Sequence, residues 1–336
     1  SNSNINNNNT ENKNNNNNIY KSNNENYNSN DYYNIDNNYN NNYNLHNRYN
    51  SNDKYTSENI YDFNSEMYSI PKKVKNVPKE LEPDSNFNLS EFMILGEVGH
   101  GTEGIIYSVK WLKNNKTYAL KRGVLYSLDM VQKRQEEIRM LKDFRKRTGS
   151  DGVIRIYGDL CVNGIDGYEF YEIMELAEID WDEEILNRGK YHMFYKENEL
   201  MKIMKQIVET FSFLQKSRIT HRDIKPQNIM IVNGRFKICD FGNARILKKE
   251  GYVVQRIRGS EMYMSPVLFR GFHAKMPQVK HNTFKSDVFS LGMCFLLAAA
   301  LSYSPLNTIR EIYDMNIIKK AIRYYLGFRY SIKVYN

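Results

Sequence analysis

Apolar and polar positions follow two regimes along this chain. Up to residue 86 they keep no helical or strand period; from Phe87 to about Tyr330 periods of two and of three to four residues alternate. Phe92 to Lys121 reads as three strands, broken by Gly99-His100-Gly101-Thr102-Glu103-Gly104 and by the turn Lys113-Asn114-Asn115-Lys116. Met130 to Arg147 has helical spacing. Val153 to Tyr157 and Tyr168 to Met174 read as short strands separated by the turn signals Asn163-Gly164 and Asp166-Gly167. Leu200, Ile203, Met204, Ile207, Val208 and Phe211 put an apolar face on a helix from Glu197 to Ser217. Ile229 to Val232 and Phe236 to Cys239, joined by Asn233-Gly234, predict a hairpin. Val288 to Leu301 is apolar all round and preceded by Asp287; at fourteen residues it is short for a bilayer and predicts a buried central helix. One amphipathic helix follows, from about Leu306 to Tyr325.

Composition explains the silent first quarter. Of the first 50 residues 26 are Asn, too polar to bury the surface that would offset ordering entropy. Residues 1–86 are therefore expected to be a disordered low-complexity tail. Tyr27, Tyr32, Tyr33, Tyr39 and Tyr43 among the asparagines leave self-association as the alternative. The net charge of +8 is spread among acidic residues, so neither nucleic acid nor a membrane is expected as a partner. Cys161, Cys239 and Cys294 form no CxxC pair, which argues against a structural zinc site and for a reducing compartment. No secretory pattern opens the sequence, and the expected location is intracellular, cytoplasmic or nuclear.

Candidate chemistry concentrates in His221-Arg222-Asp223-Ile224-Lys225-Pro226-Gln227-Asn228, followed by Asp240-Phe241-Gly242. Phosphoryl transfer asks for a carboxylate to orient the attacking hydroxyl, a lysine on the transferring group and hard oxygen ligands for magnesium. Asp223, Lys225, Asn228 and Asp240 provide these within eighteen residues. The glycine stretch alone is a weak signal, because dinucleotide-binding folds use the same string before a helix. Here a strand-like run follows it.

These motifs in this order resemble the eukaryotic protein kinase family, over roughly Phe87 to Tyr330. The resemblance implies an α+β, two-lobed fold: a small β-rich N-lobe with one helix, 87–175, and a larger, mainly helical C-lobe, 176–336, short of two final helices. It implies transfer of the ATP γ-phosphate, with Mg2+, to protein substrates. Asp223 would orient the acceptor hydroxyl and Lys225 would neutralise charge on the transferred group. Asn228 and Asp240 would hold the metal, while His221 and Phe241 would pack in an apolar stack between the lobes. Gly99, His100, Gly101, Thr102, Glu103 and Gly104 would cover the phosphates. Lys121 would contact them, held by Glu137, with Glu136 the next choice. Ile106, Ala119 and Met230 would sandwich adenine. Met174 would back its pocket, Glu175 to Ala177 would offer hinge backbone groups, and Asp180 would reach the ribose. Lys225 and Gly259-Ser260 ahead of Tyr263-Met264-Ser265-Pro266 resemble the serine/threonine type, with Ser260 bonded to Asp223 and Lys225.

Three departures qualify that picture. The activation segment, Asp240 to Pro266, carries no hydroxyl before Ser260 except that of Tyr252; Gln255, Arg256, Ile257 and Arg258 stand where a phosphorylated residue is usual. Control by loop phosphorylation is not expected. Arg245, Lys248, Lys249, Arg256 and Arg258 make the segment basic, which suits acidic acceptor sites or simply a solvated loop. Val267 replaces a glutamate, and Glu103 puts negative charge at the glycine-loop tip. With the shortened C-lobe they motivate the rival reading, a catalytically weak pseudokinase that binds nucleotide as a scaffold.

Overall fold

The computed structural model describes residues 81–84, 87–101, 104–248, 251–309 and 316–320. Expectations for the Asn-rich tail, for Thr102 and Glu103, for Lys249 and for a helix beyond residue 320 lie outside these. Five strands form one antiparallel sheet: β1 (Phe92–Gly101), β2 (Gly104–Trp111), β3 (Thr117–Leu125), β4 (Ile156–Asn163) and β5 (Tyr168–Met174), ordered β1-β2-β3-β5-β4. Alternation sorts their side chains. Phe92, Val109, Trp111, Leu120, Tyr171 and Ile173 gather with Phe87 in one cluster, while Ile156 and Phe170 join the main core.

Helix α1 (Leu128–Thr148) follows β3 and buries Val131, Ile138, Leu141 and Phe144. It starts two residues earlier than the apolar spacing predicts because Ser127 caps it, accepting the Met130 N–H, and it stops at Gly149, whose φ of 66° is left-handed. The strand expected from Val153 is displaced. Val153 makes only a bridge to Ile238, and β4 runs from Ile156 toward the turn, where β5 supplies its partner. Upstream, Asn114 donates to the Leu81 carbonyl and Glu82 pairs with Arg155.

Past the sheet come β6 (Ile179–Asp180), α2 (Trp181–Lys190), α3 (Glu197–Lys216), β7 (Ile219–Thr220), β8 (Ile229–Val232), β9 (Arg235–Ile238), β10 (Arg245–Ile246), β11 (Val253–Arg256), α4 (Pro266–His273), β12 (Gln278–His281), α5 (Thr283–Ala300) and α6 (Ser304–Ile309). Residues 316–320 are also helical. This is the two-lobed α+β architecture expected. The β8–β9 hairpin turns through Asn233 and Gly234, with φ of 50° and 68°, the double left-handed turn that Asn-Gly favours. Helix α5 begins five residues before the predicted Val288, since Asn282 caps it by accepting the Lys285 N–H. Its 18 residues are long and apolar enough to cross a membrane. Its buried face, from Leu291 through Cys294 to Ala299, belongs to this core. Helix α6 starts two residues before the predicted Leu306 and is described as far as Ile309.

Candidate active site

Helix α5 carries a carboxylate into the apolar core, and the loop after β7 is built on it. The Asp287 carboxylate accepts the Thr220 hydroxyl and the backbone N–H groups of His221 and Arg222, each at 2.8 Å. Burial pushes its carboxyl up, against the opposing pull of His221 and these donors. Arg222 sits at φ 71°, a conformation that this anchor supports. His221 accepts the Asp223 N–H at Nδ1 (3.3 Å), so its Nε2 donates to the Cys239 carbonyl (2.9 Å). Its ring meets Phe241 edge-on at 4.7 Å, both side chains buried. The His–Phe stack thus ties the loop to the strand end at Asp240.

Asp223 is held from two sides. Ser260 donates to Oδ1 through both its N–H and its hydroxyl, each at 2.9 Å, and Lys225 Nζ stands 3.6 Å from Oδ2. Gly259 permits this approach: its φ is 109°, and a Cβ there would lie 2.8 Å from the Arg222 carbonyl. Buried Asn228 donates from Nδ2 to the Asp223 carbonyl (2.9 Å), which leaves its Oδ1 as the amide's acceptor. Its carbonyl accepts the Cys239 N–H (2.9 Å), joining it to the chain one residue before Asp240. Asp240 is itself left-handed, at φ 59°. Among the described residues no group of three His, Cys, Asp or Glu side chains could hold a metal by itself. An amide oxygen and a carboxylate are a donor set for a hard cation that keeps water and phosphate oxygens in its shell. Burial, then the Asp240 charge, pushes the Cys239 thiol up, so at neutral pH it is protonated and unreactive.

On the sheet, Ile106 and Lys121 are register partners on β2 and β3, Ala119 pairs with Met174 of β5, and Met230 of β8 faces Asp180. The glycine stretch is the β1–β2 hairpin: Gly99 faces Ile106, His100 faces Ile105, and Gly101 faces Gly104. Gly104 is required by the protein itself, since at its φ of 128° a Cβ would lie 2.0 Å from the Arg122 carbonyl. The hinge departs from expectation at Glu175. Its N–H is taken by the Arg155 carbonyl (3.0 Å), and its side chain bonds the Arg155 N–H (2.6 Å) and Lys237 (2.7 Å), so only its carbonyl is left to offer a base. Asp180 spends Oδ1 on capping α2, accepting the Glu183 N–H at 2.9 Å, and burial pushes its carboxyl up to about 6.

The largest correction concerns Glu137. Its ion pair is with Arg134, one turn earlier on α1 (3.0 and 2.8 Å), a partner that sequence reading takes for a solvated charge. Arg134 also forks onto Glu172, a buried β5 carboxylate whose strand position is opposite Lys121. Burial pushes Glu137 up to about 7; Glu172 and Asp240 add to this and Arg134 opposes it. Sequence reasoning missed Arg134, Glu172 and Asp287. For the two carboxylates a signal existed, because an acid inside an apolar strand or helix requires a partner.

A family model described as "Protein kinase domain" matches residues 92–331. The Aurora kinase of Schizosaccharomyces pombe is 28% identical over 69% of this chain and 61% of its own length. Serine/threonine-protein kinase mph1 of the same organism is 28% identical over 79% of this chain and 38% of its own. Serine/threonine-protein kinase cds1, also from that organism, is 27% identical over 73% and 53%. The chain spans less than two thirds of the length of these relatives. It belongs to the eukaryotic protein kinase family. Phosphotransfer to protein substrates is that family's activity, with ATP and a divalent metal used generally.

Proposed function

We propose that this chain is a catalytically competent serine/threonine kinase that moves the γ-phosphate of ATP to protein hydroxyls. The observation that carries the reading is the double hold of Ser260 on Asp223. It fixes one carboxylate oxygen and leaves Oδ2 beside Lys225 to accept an acceptor hydroxyl's proton and aim its oxygen. Lys225 offsets charge on the group being transferred. Asn228 and Asp240 would hold Mg2+, which would supply neutralisation of the phosphate oxygens. Lys121 would contact the inner phosphates, with adenine between Ile106, Ala119 and Met230.

A second reading, a nucleotide-binding scaffold with weak catalysis, is favoured by the capture of Glu137 by Arg134. Measuring γ-phosphate transfer to a generic serine/threonine protein decides between them. Wild type should transfer and Asp223→Asn should lose about 10³-fold or more. ATP binding with no transfer by wild type would overturn catalysis and leave the scaffold. We also place the protein inside the cell, cytoplasmic or nuclear, a location that its free thiols Cys161, Cys239 and Cys294 suit. Self-association through residues 1–86 stays a proposal from composition, as does the absence of a nucleic acid or membrane partner.

A further inference from the structure

A cavity of about 780 Å³ opens beside Asp223 between the end of the activation segment and the residues after α4. Its wall combines two chemistries. Ile257, Met264, Phe272 and Met276 are apolar, and Phe272 and Met276 are about half exposed, at 46% and 49%. Arg258 and Lys275 also line it, both exposed, and neither has an ion-pair partner among the described residues. His273 is engaged by Glu261 at 3.0 Å, so these two cations set the charge of the rim away from Asp223.

Lys275 is placed at a conformational cost. It follows α4 at φ 53°, donating its N–H to the Phe272 carbonyl at 2.9 Å, in the left-handed position where glycine is usual. A side chain there is strained where glycine would not be. Keeping a lysine where glycine fits better puts an ammonium on the cavity wall. Arg258 reaches the same wall one residue before Gly259, the hinge that brings Ser260 to Asp223.

We propose that this cavity selects the substrate segment, accepting serine or threonine flanked by one apolar residue and by aspartate or glutamate, the carboxylate read by Arg258 and Lys275. The assignment rests on the phosphotransfer reading above and specifies its substrate class. The match is to a carboxylate and not to a phosphorylated residue. A dianion calls for several converging donors, and Arg222 already donates to the carbonyls of Asn243 (3.3 Å) and Arg256 (2.8 Å).

The test uses four serine peptides alike except that the flanking positions carry Glu, Gln, Lys or phosphoserine, each with one Leu. Wild type should favour Glu over Gln by about tenfold in kcat/KM, through KM, and less so at high salt. Arg258→Glu with Lys275→Glu should invert the order, favouring Lys, a gain that an unfolded protein cannot give. If that protein transfers to none, Arg258→Gln with Lys275→Gln decides: lost discrimination supports the assignment and retained discrimination overturns it. Equal wild-type rates on the Glu, Gln and Lys peptides, acid preference kept after charge reversal, or phosphoserine preferred over Glu would each overturn it and leave phosphotransfer standing. No transfer to any peptide or to a generic protein would overturn both.

Discussion

At Glu137 two requirements oppose each other: burial beside Glu172 and Asp240 favours the neutral acid, while pairing with a cation requires the anion. Held at about 7 when folded, against 4.5 for the ordinary side chain, the group keeps its proton in the native state through a range where the unfolded chain has lost it. The contribution of Glu137 to stability is therefore full below pH about 4.5 and is lost as pH rises through 7, by up to roughly 3 kcal/mol. Glu137→Gln removes this titration and leaves the others in place. Its melting temperature should gain on wild type between pH about 5 and about 8. A melting difference that stays constant across those pH values would sink the burial argument. The Arg134 pair could not be read from spacing. The helix period put Glu137 on the inward face, but period says nothing about whether a cation three residues away reaches it first.

Among the elements, the activation segment is held by strands. β10 pairs with β7, β11 pairs with β12 in the register Val253 to His281 and Arg256 to Gln278, and Arg222 ties the carbonyls of Asn243 and Arg256. Arg222, the arginine that in this family meets a loop phosphate, is thus already satisfied by backbone. The segment should be ordered and active without phosphorylation: phosphatase-treated protein should keep its rate, and mass spectrometry should find no phosphate on it that controls activity. Lys280→Pro, opposite Val254, should loosen the pairing, expose the segment to protease and lower transfer about tenfold. Unchanged protection, or a controlling phosphate, would defeat this. None of these strands was legible in the sequence. β10 has two residues and β11 four, too few for a period, and β12 lies more than twenty residues away. The β8–β9 hairpin was legible because Asn-Gly fixes its turn locally.

At the scale of the molecule, the two lobes are stitched behind the cleft. Ile154 donates to the Ile238 carbonyl (2.8 Å), Ile238 to that of Gly152 (2.9 Å), and buried Lys237 bonds Asp151 (3.0 Å) and Glu175 (2.7 Å). That three-residue network was invisible to pattern reading, since its members are far apart in sequence and each looks like an ordinary surface charge. The candidate site residues stood out in the sequence because phosphoryl transfer fixes the types and order it needs. With the rear fixed, nucleotide in front should act as a second clasp, bridging Lys121 on the sheet and Asp240 below it. ATP with Mg2+ at about a hundred times its dissociation constant stabilises by about 2.7 kcal/mol, which in a domain of this size raises melting by roughly 5–10 °C. Asp240→Asn should lose most of that shift, and a chelator should bring wild type down to the same level, because one carboxylate carries most of the metal's charge partner. A wild-type shift indifferent to both would remove Asp240 from the metal site. No shift at all with millimolar ATP and Mg2+ would remove nucleotide from the cleft and take both the kinase and the scaffold readings with it.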